Sequence, residues 1–331
     1  MRLLTDGEIP LHKWEEFMQQ NMHATPFQSP GFYDLFNSTE GFSAEAFAVE
    51  EDSKIRSLVV VTFQRGSGIK GYFSRRAIIY GGPLLDEQSP ETAGMLINAI
   101  VKSTEKTAIY TEVRNLSDYT NYKELFTGSK FDYVPYLNFR IDTGNRDEMI
   151  DRISSSRLRQ IKKARKMSVC CCEASGIEEV HQFYNILREL YDSKLHKPLP
   201  GEDFFIEFHR RNLGKYMLVK HDNKVIGGMM CPLLEGRAVY EFYICGLDES
   251  FPDLYPSVMA TWSVMEYASA NGLGFFDMMG AGKPGEYYGV RDFKARFGGN
   301  LVEFGRFIRI NKPLLYRTGK AGLSFLKGMG L

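Results

Sequence analysis

The sequence predicts an α/β (mixed α+β) protein built from two similar halves, each with a mixed central sheet flanked by helices. Its 331 residues exceed what one hydrophobic core usually serves, while 44% hydrophobic and 25% charged residues are ordinary globular values. The order strand–strand–strand–helix–strand also occurs twice along the chain. Together these observations predict two tandem domains and exclude a disordered or fibrous chain.

The first half begins with two helices, followed by three strands, a helix and a fourth strand. We place these elements at residues 11–22, from 30, 46–50, 57–63, 77–80, from 90 and 109–113. Ser29 and Pro30 form a helix start, and the Gly81-Gly82-Pro83 run predicts a turn.

The second half repeats this order of elements. Its strands and helix are predicted at residues 216–219, 225–230, 238–245, from 256 and 275–279. The Asp222-Asn223 turn corresponds to Asp52-Ser53 in the first half. Between the halves, residues 142–145 break the first pattern, which predicts domains at 1–145 and 146–331.

A basic helix opens the predicted second domain. Behind three serines, six of the ten residues in RLRQIKKARK (157–166) are basic. The first 150 residues hold 15 basic and 21 acidic residues, whereas the remainder holds 26 and 20. This asymmetry is typical of an anionic ligand or of two domains that attract each other. The candidate anion-binding residues are Arg157, Arg159, Lys162 and Lys163, and the alternative is a solvated helix face.

The cysteines and histidines do not predict a metal site. Five is an odd number of cysteines, and the run Cys170–Cys172 cannot direct three thiolates to one metal from a strand. The histidines form no metal-binding spacing. The N-terminus places Asp6 and Pro10 before any apolar segment forms, and no run of residues is apolar enough to span a bilayer. We therefore expect a cytoplasmic protein without a bound metal or cofactor.

The stretch 243–299 carries the candidate chemistry. It is rich in glycine, which allows close approach of a ligand to the backbone, and it contains no nucleophile or nucleotide-binding signature. Polar and cationic side chains follow the last predicted strand, at the edge where open α/β sheets bind ligands. The candidate substrate-binding residues are Tyr243, Tyr255, Tyr288 and Arg291. Packing in the core is the alternative for the tyrosines.

Several motifs carry a family resemblance that spans nearly the whole chain. They are the basic helix, Tyr255-Pro256 before a helix, the strand ending in Asp277, and the block YGVRDFKARFGG. In that block, an FK–two residues–FG signature is matched by Phe293, Lys294, Phe297 and Gly298. With these motifs the sequence resembles the FemAB-type family of peptidoglycan aminoacyltransferases, within the GNAT acyltransferase superfamily.

The resemblance implies two tandem GNAT-like domains and direct transfer of an aminoacyl group to an amine. It implies catalytic positions at Lys294, Phe293 and Asp277. The lysine would stabilise charge, the phenylalanine would shape the pocket, and the aspartate would orient the amine or accept its proton. The alternatives are a surface lysine on a short helix and an aspartate that only caps the glycine-rich turn. It further implies aminoacyl-tRNA as donor and a nucleotide- or lipid-linked anionic cell-envelope precursor as acceptor. The long helical arm of some family members is missing, since residues 183–208 are too few for it.

Two other functions stay open at this point. One is an acyl-CoA-dependent N-acyltransferase acting on a surface-polysaccharide sugar, although GLDESFPDLYP (246–256) lacks the glycine-rich pyrophosphate loop of such enzymes. The other is a non-catalytic binding protein of the same fold.

The C-terminal tail raises a separate expectation. From Phe304 onward it carries six basic residues and no acidic residue. Such a segment, interleaved with apolar side chains, predicts either peripheral contact with an anionic membrane or a last helix packed on the domain.

Overall fold

A computed structural model describes residues 1–66 and 75–318. The chain divides into two compact units. The first comprises residues 1–135 together with the chain from Phe304 onward, and the second is Tyr136–Glu303. Each unit contains an eight-stranded mixed sheet, which confirms the predicted mixed α/β class with two sheets.

The first unit is built from helices α1 to α4 and from strands β1 to β7 and β16. The helices are α1 (Leu11–Gln20), α2 (Pro30–Ser38), α3 (Pro90–Thr107) and α4 (Lys123–Gly128). The strands are β1 (Arg2–Thr5), β2 (Phe42–Glu51), β3 (Lys54–Gln64), β4 (Arg76–Gly81), β5 (Leu84–Leu85), β6 (Tyr110–Asn115), β7 (Asp132–Val134) and β16 (Arg306–Ile310). They pair in the order β1-β2-β3-β4-β6-β16-β7, with β5 beside β3.

The second unit is built from helices α5 to α10 and from strands β8 to β15. The helices are α5 (Arg146–Asp151), α6 (Ser155–Lys166), α7 (Ile177–Leu190), α8 (Glu202–Arg210), α9 (Pro256–Ala270) and α10 (Gly289–Ala295). The strands are β8 (Leu137–Asp142), β9 (Cys170–Glu173), β10 (Gly214–His221), β11 (Lys224–Leu234), β12 (Ala238–Tyr240), β13 (Tyr243–Gly246), β14 (Phe275–Asp277) and β15 (Asn300–Glu303). They pair in the order β15-β8-β14-β12-β11-β10-β9, with β13 beside β11.

The two sheets share a layout that local sequence explains. In the first sheet, β4 and β6 pair in parallel, and α3 lies between them in the chain. In the second sheet, β12 and β14 pair in parallel, and α9 lies between them in the chain. The hairpin before each pair turns through two residues with positive φ, Asp52-Ser53 and Asp222-Asn223. Such turns match the twist of antiparallel strands and favour aspartate and asparagine. The predicted correspondence of these two turns is confirmed.

Helix α9 forms the centre of the second core. Ten of its fifteen residues are buried, and it packs on β11 and against α6. A helix that is apolar on most sides must be covered on most sides. This explains why Val258, Trp262 and Met265 lie within the core rather than along a single stripe.

The observed units differ from the predicted boundary at 145/146. Strand β8 pairs with β14 and β15 and therefore belongs to the second unit. Strand β16 pairs with β6 and β7, so the end of the chain returns to the first unit. Both strands are short and find their partners far along the chain, which a local pattern of residues does not reveal.

The basic tail is also partly a sheet element. Arg306 and Arg309 lie on β16, and Arg306 pairs with the buried Glu112 of β6 at 2.5 Å. Lys320 and Lys327 lie outside the described residues, so membrane contact by the tail stays a prediction. None of the described helices combines the length and the apolar character that a bilayer crossing requires.

Replacing Glu112 with Gln should destabilise the first unit at neutral pH. Burial opposes ionisation of Glu112, but Arg114 and Arg306 outweigh it and lower its pKa to about 2. Losing the charge leaves two half-buried guanidinium groups without their anion, which costs about 1–3 kcal/mol of unfolding free energy. A carboxyl group whose pKa is lower in the folded than in the unfolded protein stabilises the fold at pH values above its unfolded pKa. The difference in unfolding free energy between wild type and variant should therefore shrink as pH falls from 4.5 towards 2. Urea denaturation across this range measures it. A difference independent of pH would contradict the assignment.

Candidate functional site

The candidate site lies where two parallel strands of the second sheet part. Strand β12 pairs with β14 up to Tyr240 and Asp277, and β13, which continues β12, pairs with β11 instead. Glu241 is at the point of divergence, where its N–H donates to the Asp277 carbonyl at 2.9 Å. Beyond this point the chain after β14 is no longer a strand. It keeps backbone hydrogen bonds to Leu137 and Phe139 of β8, and side chains hold the rest of it.

Lys294 lies in this region, on α10, and is 5% exposed. Its Nζ donates to the carbonyl oxygens of Met278 and Gly280, the latter at 2.9 Å, and it pairs with Glu241 Oε1 at 2.7 Å. An ammonium has three N–H donors, so these three acceptors use all of them. Lys294 is therefore a buried cation that holds the segment after β14, rather than a surface lysine of a short helix.

Glu241 is a functional candidate that sequence reasoning missed. It is 8% exposed, and its Oε2 is buried without a hydrogen-bond partner. Burial raises the pKa of Glu241, with a further upward contribution from Asp277, and the Lys294 charge lowers it without cancelling the rise. A glutamate within the apolar run AVYEFYIC was the available signal, because such a residue needs a partner when it is buried.

Asp277 is buried and its two carboxylate oxygens are both engaged. Oδ1 accepts from Asn138 Nδ2 at 2.7 Å and from the Met279 N–H at 2.9 Å, while Oδ2 accepts from Arg140 Nε at 3.0 Å. Met279 has a φ of 51°, and the Gly280 N–H donates to Asn138 Oδ1 at 2.8 Å. These contacts place Asp277 in the support of the turn that follows β14.

Arg291 also supports this turn. Its Nε donates to the Ala281 carbonyl at 2.8 Å, and its two terminal nitrogens donate to the carbonyls of Glu286 and Lys283. Tyr288 packs over Gly282, whose φ of 79° and close approach to the ring leave no room for a side chain. We define residues 278–286 as the β14 loop. Arg291 and Lys294 thus tie this loop to α10 by charge-assisted hydrogen bonds.

Phe293 and Arg157 pack together on the other side of α10. The Arg157 guanidinium lies 4.5 Å from the centre of the Phe293 ring and 4.7 Å from that of Phe297, and it donates to the Phe293 carbonyl. Arg157 is 4% exposed. Burial, with a smaller contribution from Arg296, lowers its pKa to about 10. The structure thus places Arg157 within the protein, in contrast to the ligand-facing position expected for it.

The rest of the basic helix is divided between paired and exposed cations. Lys163 pairs with Asp253 at 2.6 Å and lies 5.8 Å from the centre of the Tyr255 ring. Arg159 and Lys162 are exposed. The anion-binding surface expected on α6 therefore reduces to its exposed residues.

The two tyrosines of the expected substrate site have different surroundings. Tyr243 is half-buried among aromatic rings, with centroid distances of 4.8 Å to Phe242 and 5.1 Å to Phe205. Tyr255 precedes α9 with a φ of 51° and packs against the core. Such backbone strain in a non-glycine residue is characteristic of a specialised position.

The N-terminus of α9 is covered by the protein's own carboxylate. Asp248 accepts from the Ser257 N–H at 3.2 Å and from the Ser257 hydroxyl. The first N–H groups of a helix favour an anion, and here Asp248 supplies it. A Cβ at Gly246 would lie 2.7 Å from the Ser257 nitrogen, so the loop approaches the helix closely. Within the described residues, no group of three acidic, cysteine or histidine side chains could hold a metal.

The comparisons with known proteins bear on this region. Residues 210–321, about a third of the chain, match the model of the FemAB family. The resemblance to that family is confirmed. The FemAB match contains Glu241, Asp277 and Lys294 together with the β14 loop. No curated protein matches the chain.

Solved structures extend the likeness over both units. A crystal structure of FemX superposes with a TM-score of 0.72 at 14% identity, covering 96% of this chain and 99% of that one. L-PGS from Bacillus licheniformis gives 0.59 at 10% identity over 94% and 96%. A tandem GNAT protein from the clavulanic acid biosynthesis pathway gives 0.57 at 8% identity over 94% and 99%. These likenesses confirm the tandem GNAT-like fold.

Replacing Lys294 with Met should destabilise the second unit more than replacing both members of its ion pair. The single change leaves Glu241 buried without its counter-charge, which costs about 3–5 kcal/mol. The double change Glu241→Leu with Lys294→Met removes both charges and should recover more than half of that loss. Chemical denaturation of the three proteins measures the difference. A double variant as unstable as the single one would contradict the pair.

Replacing Gly298 with Ala should test the structural part of the FK–two residues–FG signature. Phe297 is fully buried, and Gly298 has a φ of 79°, with the Arg152 carbonyl oxygen where a Cβ would lie. We expect a loss of about 1–3 kcal/mol in unfolding free energy. Gly285→Ala is the matched control, because its φ of 76° is similar but its Cβ would meet open space. Equal losses in the two variants would show that the contact with Arg152 is unimportant.

Proposed function

We propose that the chain transfers an aminoacyl group from aminoacyl-tRNA to an amine of an anionic cell-wall precursor. The observation that carries this proposal is the FemAB match at residues 210–321, which includes the whole β12–α10 region of the site. The overall likeness to FemX supports it by showing that the first unit is present in the same fold.

The site suits direct transfer. The amine of the acceptor attacks the ester carbonyl, a C–N bond forms, and the C–O bond to the tRNA ribose breaks. The amine proton passes to the leaving hydroxyl, so the reaction needs no covalent intermediate with the enzyme. The three N–H donors of Lys294 are bonded within the protein, so its positive charge acts on the carbonyl oxygen through its electric field and by holding the β14 loop in place. The contacts of Lys294 with Glu241 and with the β14 loop hold this charge in place before the reaction begins.

The start of α9 disfavours acyl-CoA as donor. CoA-dependent members of the superfamily resembled by this chain cradle the pyrophosphate on N–H groups between strand and helix. Here the corresponding connection joins β13 to α9, and Asp248 already accepts from Ser257. A pyrophosphate at this position would meet a carboxylate, and the repulsion between like charges would weaken its binding.

Incubation of the purified protein with charged tRNA and a nucleotide-linked cell-wall peptide tests the proposal. We expect the precursor to gain the mass of an aminoacyl residue with charged tRNA only, as measured by mass spectrometry. Lys294→Met should lower the rate on the order of 10²–10³-fold at a temperature where the variant is folded. Lys224→Met, which replaces an exposed lysine at the start of β11, is the control.

Three results would contradict the proposal. Micromolar binding of acetyl-CoA by calorimetry, with acyl transfer to a sugar amine, would support the CoA-dependent alternative. An unchanged rate in Lys294→Met would remove Lys294 from the mechanism. Finally, absence of turnover with every donor, together with unaltered cell-wall precursors in a deletion strain, would support a non-catalytic binding protein.

A further inference from the structure

The three acceptors of Lys294 do not contribute equally to the position of its ammonium group. The Met278 and Gly280 carbonyls belong to a backbone that other contacts already hold. The Met278 N–H donates to the Phe139 carbonyl at 3.0 Å, and the Gly280 N–H donates to Asn138 Oδ1 at 2.8 Å. Glu241, in contrast, supplies the negative charge that the buried ammonium requires, at 2.7 Å. The position of Lys294 thus depends on Glu241 more than on the two neutral acceptors.

The buried Glu241 carboxylate lowers the unfolding free energy of the protein. Its Oε2 is buried without a hydrogen-bond partner, and such an atom loses its hydration without compensation. A buried ion pair of this kind rarely stabilises a protein more than well-packed apolar residues do. Stability alone therefore does not account for the pair. Groups that weaken a fold in this way are concentrated at functional sites.

We propose that Glu241 is a positioning residue of the transfer site, whose ionised carboxylate holds the Lys294 ammonium against the Met278 and Gly280 carbonyls. Through Lys294 it fixes the start of the β14 loop and the positive charge at the point where β12 and β14 part. The activity measurements below rest on the proposed transfer reaction, whereas the stability measurements do not.

Ionisation of Glu241 affects activity and stability with opposite signs. The charged groups that act on it are Lys294 and Asp277, the latter paired with Arg140, and the thiol of Cys231 lies nearby. Burial and Asp277 raise the pKa of Glu241 above 4.5. A raised carboxyl pKa means that the folded protein binds the proton more tightly than the unfolded chain. The contribution of Glu241 to the unfolding free energy is therefore lost as pH rises through its pKa in the folded protein. Over the same range Glu241 becomes ionised and can hold Lys294 in position for the reaction.

The test compares the wild type with Glu241→Gln across pH 4.5 to 8. We expect the wild-type turnover to rise with pH through a step above 4.5 that Glu241→Gln lacks. Turnover of the variant at neutral pH should be about 10²-fold lower, as expected when a reacting group is misplaced. Glu241→Asp keeps the charge and should retain the step. Glu235→Gln, an exposed glutamate six residues earlier, is the matched control and should behave as the wild type.

Denaturation of the same proteins gives the readout that is independent of turnover. The unfolding free energy of the wild type relative to Glu241→Gln should decrease as pH rises through the same step. Wild-type turnover in the glutamine variant, or a stability difference that does not change with pH, would overturn the proposal. If Glu241→Gln does not fold, loss of the pH step in Glu241→Asp would overturn it instead. If no donor supports turnover in the wild type, the proposed function fails, and the denaturation data still decide whether Glu241 is the ionising partner.

Discussion

The loop that follows β14 in the second unit depends on one buried ion pair. Glu241 stands where β12 and β13 leave β14, and Lys294 reaches it from α10 at 2.7 Å. After β14 the chain loses β12 as a neighbour and keeps β8 on one side only, so its remaining backbone groups must find other partners. Lys294, Arg291 and the Asp277–Asn138 contacts supply them. The β14 loop is thereby held in one shape by side chains from three separate segments.

Much of the fold could be predicted because its signals are local. Paired turn residues, a proline at the start of α9 and apolar runs in β3 and β11 located the repeated pattern within a few residues. The exchange of β8 and β16 between the expected domains could not be predicted in the same way. Strands of five or six residues are specified by partners more than 130 positions away, as in the pairing of Phe276 with Ile141. The compact units therefore do not coincide with the boundary predicted from a break in pattern.

Several members of the candidate site could be predicted from the sequence, but Glu241 and the roles of the others could not. The signature residues Phe293, Lys294, Phe297 and Gly298 lie together, yet the geometry assigns packing to the phenylalanines and a left-handed backbone conformation to the glycine. Arg157 was expected to face a ligand because it is basic, whereas it stacks on two rings inside the protein. The apolar face of α6 is narrow, and the aliphatic part of the long Arg157 side chain widens it. Sequence spacing alone does not distinguish these uses of a cation.

The crystal structure of the Glu241→Gln variant, compared with one of the wild type, tests the central claim most directly. We expect Lys294 Nζ to move away from the Met278 and Gly280 carbonyls and the β14 loop to shift with it. Unchanged positions of the ammonium and the loop would show that the neutral contacts are sufficient. The negative charge of Glu241 would then not be the constraint on which this region depends.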